Sequence, residues 1–277
     1  MRKLLVSCAL LAACAGTKPA TPAAATPALE AGHDAAQASP ALAAAVQAPS
    51  RSPDNVARDP ARHPLQTLAF FGVTPTQTVV ELWPGRGWFT EILAPLEREQ
   101  GKLVAAVPTG DYLQPYKDFL AAKPAVYDRV QLVELSPPSQ LTLGPDGSAD
   151  AVLTFRNLHG WISGGYAPQL LDAVFRVLKP GGVFGVEEHR APAGATPEAS
   201  AKTGYVSEEA TIAMASKAGL VLEERAEINA NPKDTKDYPN GVWSLPPSYR
   251  GGDAERDKFA AIGESDRMTL RFRKPAN

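Results

Sequence analysis

The stretch Val79-Val80-Glu81-Leu82-Trp83-Pro84-Gly85-Arg86-Gly87-Trp88-Phe89-Thr90 reads as a buried strand that runs through a glycine turn into a helix. Glycines at 85 and 87 allow a tight turn and close approach of backbone to a ligand. The helix expected over 88–99 presents unpaired N–H groups at its start, which suits a nucleotide-like ligand. Glu81 lies within the strand, where a carboxylate is costly unless a donor reaches it. A dinucleotide-binding fingerprint needs a third glycine, and its place here is already helical around Ile92.

Strand-like and helix-like stretches alternate around this turn at the spacing of a parallel sheet. Further strands are expected at 102–107, 129–135, 149–155, 183–186, 220–228 and 268–272, and a helix at 111–122. Leu170, Leu171, Val174, Phe175 and Leu178 fall at helical spacing over 166–178, with Lys179-Pro180-Gly181-Gly182 as the stop. Another helix is expected over 207–218, with Ser207 as its N-cap and Gly219 as its end.

This order resembles the class I S-adenosylmethionine-dependent methyltransferases over roughly residues 57–277. The glycine motif is similar to Glu81-Leu82-Trp83-Pro84-Gly85-Arg86-Gly87-Trp88, with Pro84 where many members have glycine. The family's fourth strand is matched by 150–159, and its fifth by 177–189. More narrowly, the Trp83-Pro84-Gly85 turn, the run 229–239 and the run 263–268 resemble a group of bacterial methyltransferases known from sequence. The resemblance implies a Rossmann-like α/β fold, a seven-stranded, mostly parallel sheet with helices on both faces and an antiparallel last strand. It also implies S-adenosylmethionine as cofactor, held by Glu81, Pro84, Gly85, Gly87 and Trp88, with Asn157 near the adenine. The acidic residue that usually follows the second strand and bridges the ribose hydroxyls is missing from Ala106-Val107-Pro108-Thr109, so either Asp111, the nearest carboxylate, reaches the ribose from the next helix as a cofactor-binding residue, or the site binds the cofactor weakly or not at all.

Ligands of open α/β sheets bind at the carboxyl ends of the strands. There the chain offers His159 after the fourth strand and Glu187, Glu188 and His189 after the fifth. His159 suits a general base, since imidazole titrates near neutral pH; as a lone histidine it equally suits a hydrogen bond within its loop. Glu187 and His189 complete the catalytic candidates, and as alternate residues of a strand they share a side that Glu188 does not. The same triplet contains ligand types for a metal, although no metal site is assigned.

Residues 229–266 form a long insert between the last two strands, with Tyr238, Trp243, Tyr249 and Phe259 as apolar anchors. Such an insert is either a lid over Trp88 and Trp161 or a surface excursion along the sheet edge. Arg2-Lys3 followed by the apolar run 4–13 reads as a secretion signal, too short to span a bilayer. Leu11-Ala12-Ala13-Cys14 resembles a lipoprotein signal, implying lipid attachment at Cys14, membrane anchorage and a periplasmic address; a plain signal peptide is the alternative. Residues 14–56, rich in Ala and Pro, are expected to be a disordered tether, leaving 57–277 as the folded domain. A net charge of −2 without a basic block argues against nucleic acid and leaves a small-molecule substrate. S-adenosylmethionine is made in the cytoplasm, so an exported chain also admits a non-catalytic periplasmic binding protein on the same fold.

Overall fold

The computed structural model describes residues 38–276. The signal-like run, Cys14 and the first part of the expected tether lie outside them. The chain carries four short helices, α1 (Pro40–Val46), α2 (Pro53–Val56), α3 (Asp59–Arg62) and α4 (Pro64–Phe70), before strand β1 (Thr78–Leu82). Helix α5 (Thr90–Glu97), β2 (Lys102–Pro108), α6 (Leu113–Ala122), α7 (Pro124–Tyr127), β3 (Gln131–Leu135) and β4 (Ala149–Phe155) follow. The second half runs through α8 (Leu158–Ser163), α9 (Ala167–Val177), β5 (Leu178–His189), α10 (Pro197–Ser200), α11 (Glu208–Lys217), β6 (Val221–Ala226), α12 (Arg256–Ile262) and β7 (Arg267–Arg273).

All seven strands form one sheet in the order β3-β2-β1-β4-β5-β7-β6. Strands β1 to β5 pair in parallel, and β7 is antiparallel to both β5 and β6. The fold class therefore agrees with the sequence. Helices cover both faces, so central strands such as β4 are apolar almost throughout rather than alternating. Neighbouring residues serve opposite cores: Val79, Ala151 and Leu153 pack with Phe89, Ile92 and Leu93, whereas Val80, Val152 and Val186 pack with Leu170, Leu171 and Val174.

Local boundaries follow identifiable chemistry. The Ser207 hydroxyl accepts a hydrogen bond from the Ala210 N–H at 3.2 Å and starts α11 one residue later, as an N-cap does. The helix expected from Trp88 begins only at Thr90, because residues 85–89 are occupied by the turn. Lys179-Pro180-Gly181-Gly182 follows the end of α9 as expected and makes a bulge within β5: Ala149 pairs with Leu178 and Ala151 with Val183, and Gly181 is left-handed at φ 78°. Leu178 already turns to extended backbone, and β5 takes in the whole segment.

The tether assignment needs correction over residues 38–56. Ser39 caps α1 through a 3.1 Å bond from the Leu42 N–H, and Leu42 and Ala45 are buried in the cluster that contains α5. Arg51 then forms a two-pronged pair with Asp59 at 2.7 and 2.8 Å, and the Ser52 N–H donates to Glu91 at 3.0 Å. A composition dominated by alanine concealed one well-placed leucine and one arginine with a partner. Leu42 is 1% exposed, so Leu42→Ala should destabilise the protein by about 2–5 kcal/mol in denaturant unfolding, whereas a residue on a tether would give no change.

Candidate active site

A cavity of about 410 Å³ opens at the carboxyl ends of β1, β4 and β5, within the size usual for small-molecule sites. This is the topological switch point, where the chain leaves β1 for β2 on one side and pairs it with β4 on the other. The turn after β1, the residues after β4 and the end of β5 form its floor. Arg58 and Arg62 from the α2–α3 region form one wall, and the 229–266 insert closes over the top with Val242, Trp243, Pro246 and Pro247. The insert is thus a cover of the cavity. It encloses Trp88 as expected but not Trp161, which is buried beneath Trp83 at a ring distance of 5.4 Å.

The turn is built from left-handed residues: Trp83 (φ 48°), Gly85 (φ 61°) and Gly87 (φ 82°). Gly85 has open space around its Cα on the cavity side, so a ligand can reach the backbone there. Gly87 has a different reason to be glycine. A Cβ would stand 2.4 Å from the Phe119 ring, and Gly87 does not line the cavity. Pro84 and Trp88 do line it, with the Trp88 ring flanked by the Arg51 and Arg62 guanidiniums at 5.2 and 4.7 Å.

Glu81 faces the cavity while 1% exposed, and its Oε2 accepts the Thr90 hydroxyl at 2.6 Å. Burial raises its pKa to about 7 against the opposing effect of that hydrogen bond. Asn157 also borders the cavity, but its amide NH₂ donates to the Leu82 carbonyl and the Thr154 hydroxyl, both at 3.1 Å. It braces the ends of β1 and β4 against each other. Asp111 is exposed and outside the cavity, because Thr109 and Gly110 carry the chain away after β2. No residue of that strand end lines the cavity, so the expected ribose carboxylate is not in place.

His159 gains a partner that the sequence did not reveal. Its Nδ1 lies 3.1 Å from Glu188 Oε1, and Glu188 also accepts the Leu158 N–H at 2.6 Å and the His189 N–H at 2.9 Å. Burial works against a charge on His159, yet the attraction and hydrogen bond of Glu188 outweigh it and hold its pKa above the ordinary value. His189 is in the opposite condition. Burial, then His159, Arg156, Arg267 and Arg62 push its pKa well below the ordinary value, and its Nδ1 bonds the Ser265 hydroxyl at 2.5 Å.

Glu187 leaves the catalytic set. It is 0% exposed, does not line the cavity, and pairs with Arg156 at 2.9 Å and Arg267 at 3.2 Å. Alternation holds along β5, and Glu188, on the face of Val186 opposite Glu187, meets the amino end of α8 and reaches His159 there. Arg58, Arg62, Arg156 and Glu264 are cavity residues that sequence reasoning missed. Arg156 directly follows β4 and was findable by position alone. The others come from segments without a strand signal. Glu264 holds Arg58 at 2.7 Å and Arg62 at 3.1 Å. Burial opposes its charge, but Arg62, Arg267 and Arg58 overcome that and bring its pKa down to about 2. Burial, and then Arg156, lower Arg62 to about 8, which leaves it cationic at neutral pH.

No family model matches the chain, and no curated protein is significantly similar to it. Solved structures are. A SAM-dependent methyltransferase from Aquifex aeolicus superposes with a TM-score of 0.55 at 15% identity, over 83% of this chain and 96% of that one. A (4+2) cyclase, SpnF, superposes with a TM-score of 0.51 at 18% identity, over 76% of this chain and 79% of that one. Identities this low establish shared architecture, and one neighbour is named for a cyclisation, so the scaffold by itself does not fix the reaction. The chain has the Rossmann-like fold of the SAM-dependent methyltransferases.

Proposed function

We propose that this protein transfers the methyl group of S-adenosylmethionine to a small acceptor and works at the cell envelope, anchored to the membrane by a lipid on Cys14. The observation that carries the catalytic reading is the cavity itself, placed at the β1/β4 switch point with Glu81 and the open Gly85 turn inside it. The residues suit the amino-acid end of the cofactor. Glu81 would hold its ammonium and the Gly85 turn would let backbone lie alongside, while Phe89 and Phe155, stacked at 3.5 Å, would wall the adenine. The ribose would lack its usual carboxylate partner.

When bound, S-adenosylmethionine supplies an electrophilic methyl group on a cationic sulfur. The protein's part is then to align an acceptor and remove its proton. Glu188 fixes the His159 ring through Nδ1, which leaves Nε2 for the acceptor. Trp243 stands edge-on to His159 at 5.8 Å and, with Pro246 and Pro247, keeps water from that side of the cavity. His189, neutral and tied to Ser265, borders the same space without competing for the proton.

Calorimetric titration of the purified protein with S-adenosylhomocysteine should give a dissociation constant on the order of micromolar. Gly85→Val should abolish binding with the far-ultraviolet circular dichroism unchanged. The ammonium requires ionised Glu81, whose pKa is about 7, so affinity should rise about tenfold from about pH 6 to about pH 8 and stay flat in Glu81→Gln. No binding at millimolar ligand would return the cavity to a non-catalytic role.

In an NMR titration, His159 should titrate above and His189 below the ordinary imidazole value of about 6.5. Glu188→Gln should drop His159 below that value, because burial persists and the attraction is gone. The folded state binds the His159 proton more tightly than the unfolded chain does. Its stabilisation is therefore full below about pH 6.5 and lost as pH rises through the raised value.

A further inference from the structure

We infer that the acceptor carries an oxyanion, a carboxylate or phosphate, gripped by Arg62 and Arg156 beside His159. The inference rests on the methyl-transfer reading above. Four guanidiniums, those of Arg58, Arg62, Arg156 and Arg267, share two carboxylates, those of Glu187 and Glu264. Two positive charges are left over on one side of the cavity. Arg86, exposed at the turn, adds a further cation to the lining.

The surplus has donors to go with it. Arg62 reaches Glu264 through Nε alone, and Arg156 reaches Glu187 through one terminal nitrogen alone. Among the described residues the other guanidinium nitrogens of these two side chains make no hydrogen bond. Each guanidinium therefore keeps terminal donors, the groups that bind carboxylate and phosphate oxygens in pairs. Arg156 is also held at φ 63°, a left-handed backbone conformation that a non-glycine residue rarely adopts. That conformation places a long cation directly after β4, where the cavity begins.

The cofactor does not remove the imbalance. S-adenosylmethionine brings a sulfonium and an ammonium with a single carboxylate, so the loaded site is more positive than the empty one. An oxyanion on the acceptor reverses this, attracts the acceptor into a covered cavity and fixes it within reach of His159.

The test uses benzoate and phenyl phosphate as probes and benzamide as the neutral control, titrated into the protein with and without saturating S-adenosylhomocysteine. At least one anion should bind the loaded protein about tenfold or more tighter than benzamide. Arg62→Gln and Arg156→Gln should erase that preference while S-adenosylhomocysteine affinity stays unchanged, and Arg156→Lys should restore part of it. The Lys variant keeps a charge beside Glu187, so it guards against misreading a folding defect. Equal binding of anion and amide to the loaded protein would overturn the inference alone. An equal loss of probe and S-adenosylhomocysteine in both Gln variants would also overturn it, because the arginines would then hold the cofactor's own carboxylate. Anion preference without any S-adenosylhomocysteine binding would support the oxyanion site and remove the methyl-transfer reading instead.

Discussion

A carboxylate with no exposure to water stands near the end of β5, and much of the molecule is arranged around it. Glu187 would be intolerable in that position without partners. Arg156 comes to it from the end of β4 and Arg267 from the start of β7. Arg267 in turn binds Glu264 and the Ala61 carbonyl, and Glu264 binds Arg58 and Arg62. One buried charge thus links two strands, the last residues of the insert and the short helices that precede the sheet. Such a chain of pairs is weak evidence for net stability, since desolvation offsets much of the attraction. Its effect is positional: it holds guanidiniums against a cavity that hydrophobic packing alone would fill with apolar side chains.

The same residue types do opposite things a few ångströms apart. His159 and His189 lie 5.8 Å from each other, ring to ring, yet one is held toward its charged form by Glu188 and the other is kept neutral by burial among cations. Glu187 and Glu188 are neighbours in sequence, one paired with arginines and the other with a histidine and two backbone N–H groups. Identity at a position says little here about role. Environment assigns it, as in other sites where paired groups are driven apart in proton affinity.

The seven strands were legible because buried parallel strands are short apolar runs punctuated by glycine and proline, and β4 was placed to the residue. Edges were less so: the span of β5 includes a Lys-Pro-Gly-Gly segment that reads as a stop, carried as a bulge between the Leu178 and Val183 pairs with β4. Glu81, Gly85, Trp88, Asn157, His159 and His189 were found because they sit next to strand ends. Glu188 was not: alternation puts it on the face opposite Glu187, but which helix stands against that face is set by the tertiary fold. Asp111 was chosen only because it was the nearest acid, and the chain leads it away from the cavity. Arg58, Arg62 and Glu264 depend on contacts between residues about 200 apart, which no local pattern encodes.

The cavity draws its floor and its walls from different parts of the chain. The glycine turn, Asn157 and His159 directly follow strands of the sheet, whereas Arg58, Arg62, Trp243 and Glu264 belong to a preceding helical stretch and to the insert before β7. Those two pieces meet each other directly, through Glu264 with Arg58 and Arg62 and through Asn229 with His63 and Thr67. The arrangement is modular: paired exchange of both pieces could rewrite what the protein accepts while leaving the scaffold untouched, whereas exchange of either one alone would strand a buried charge.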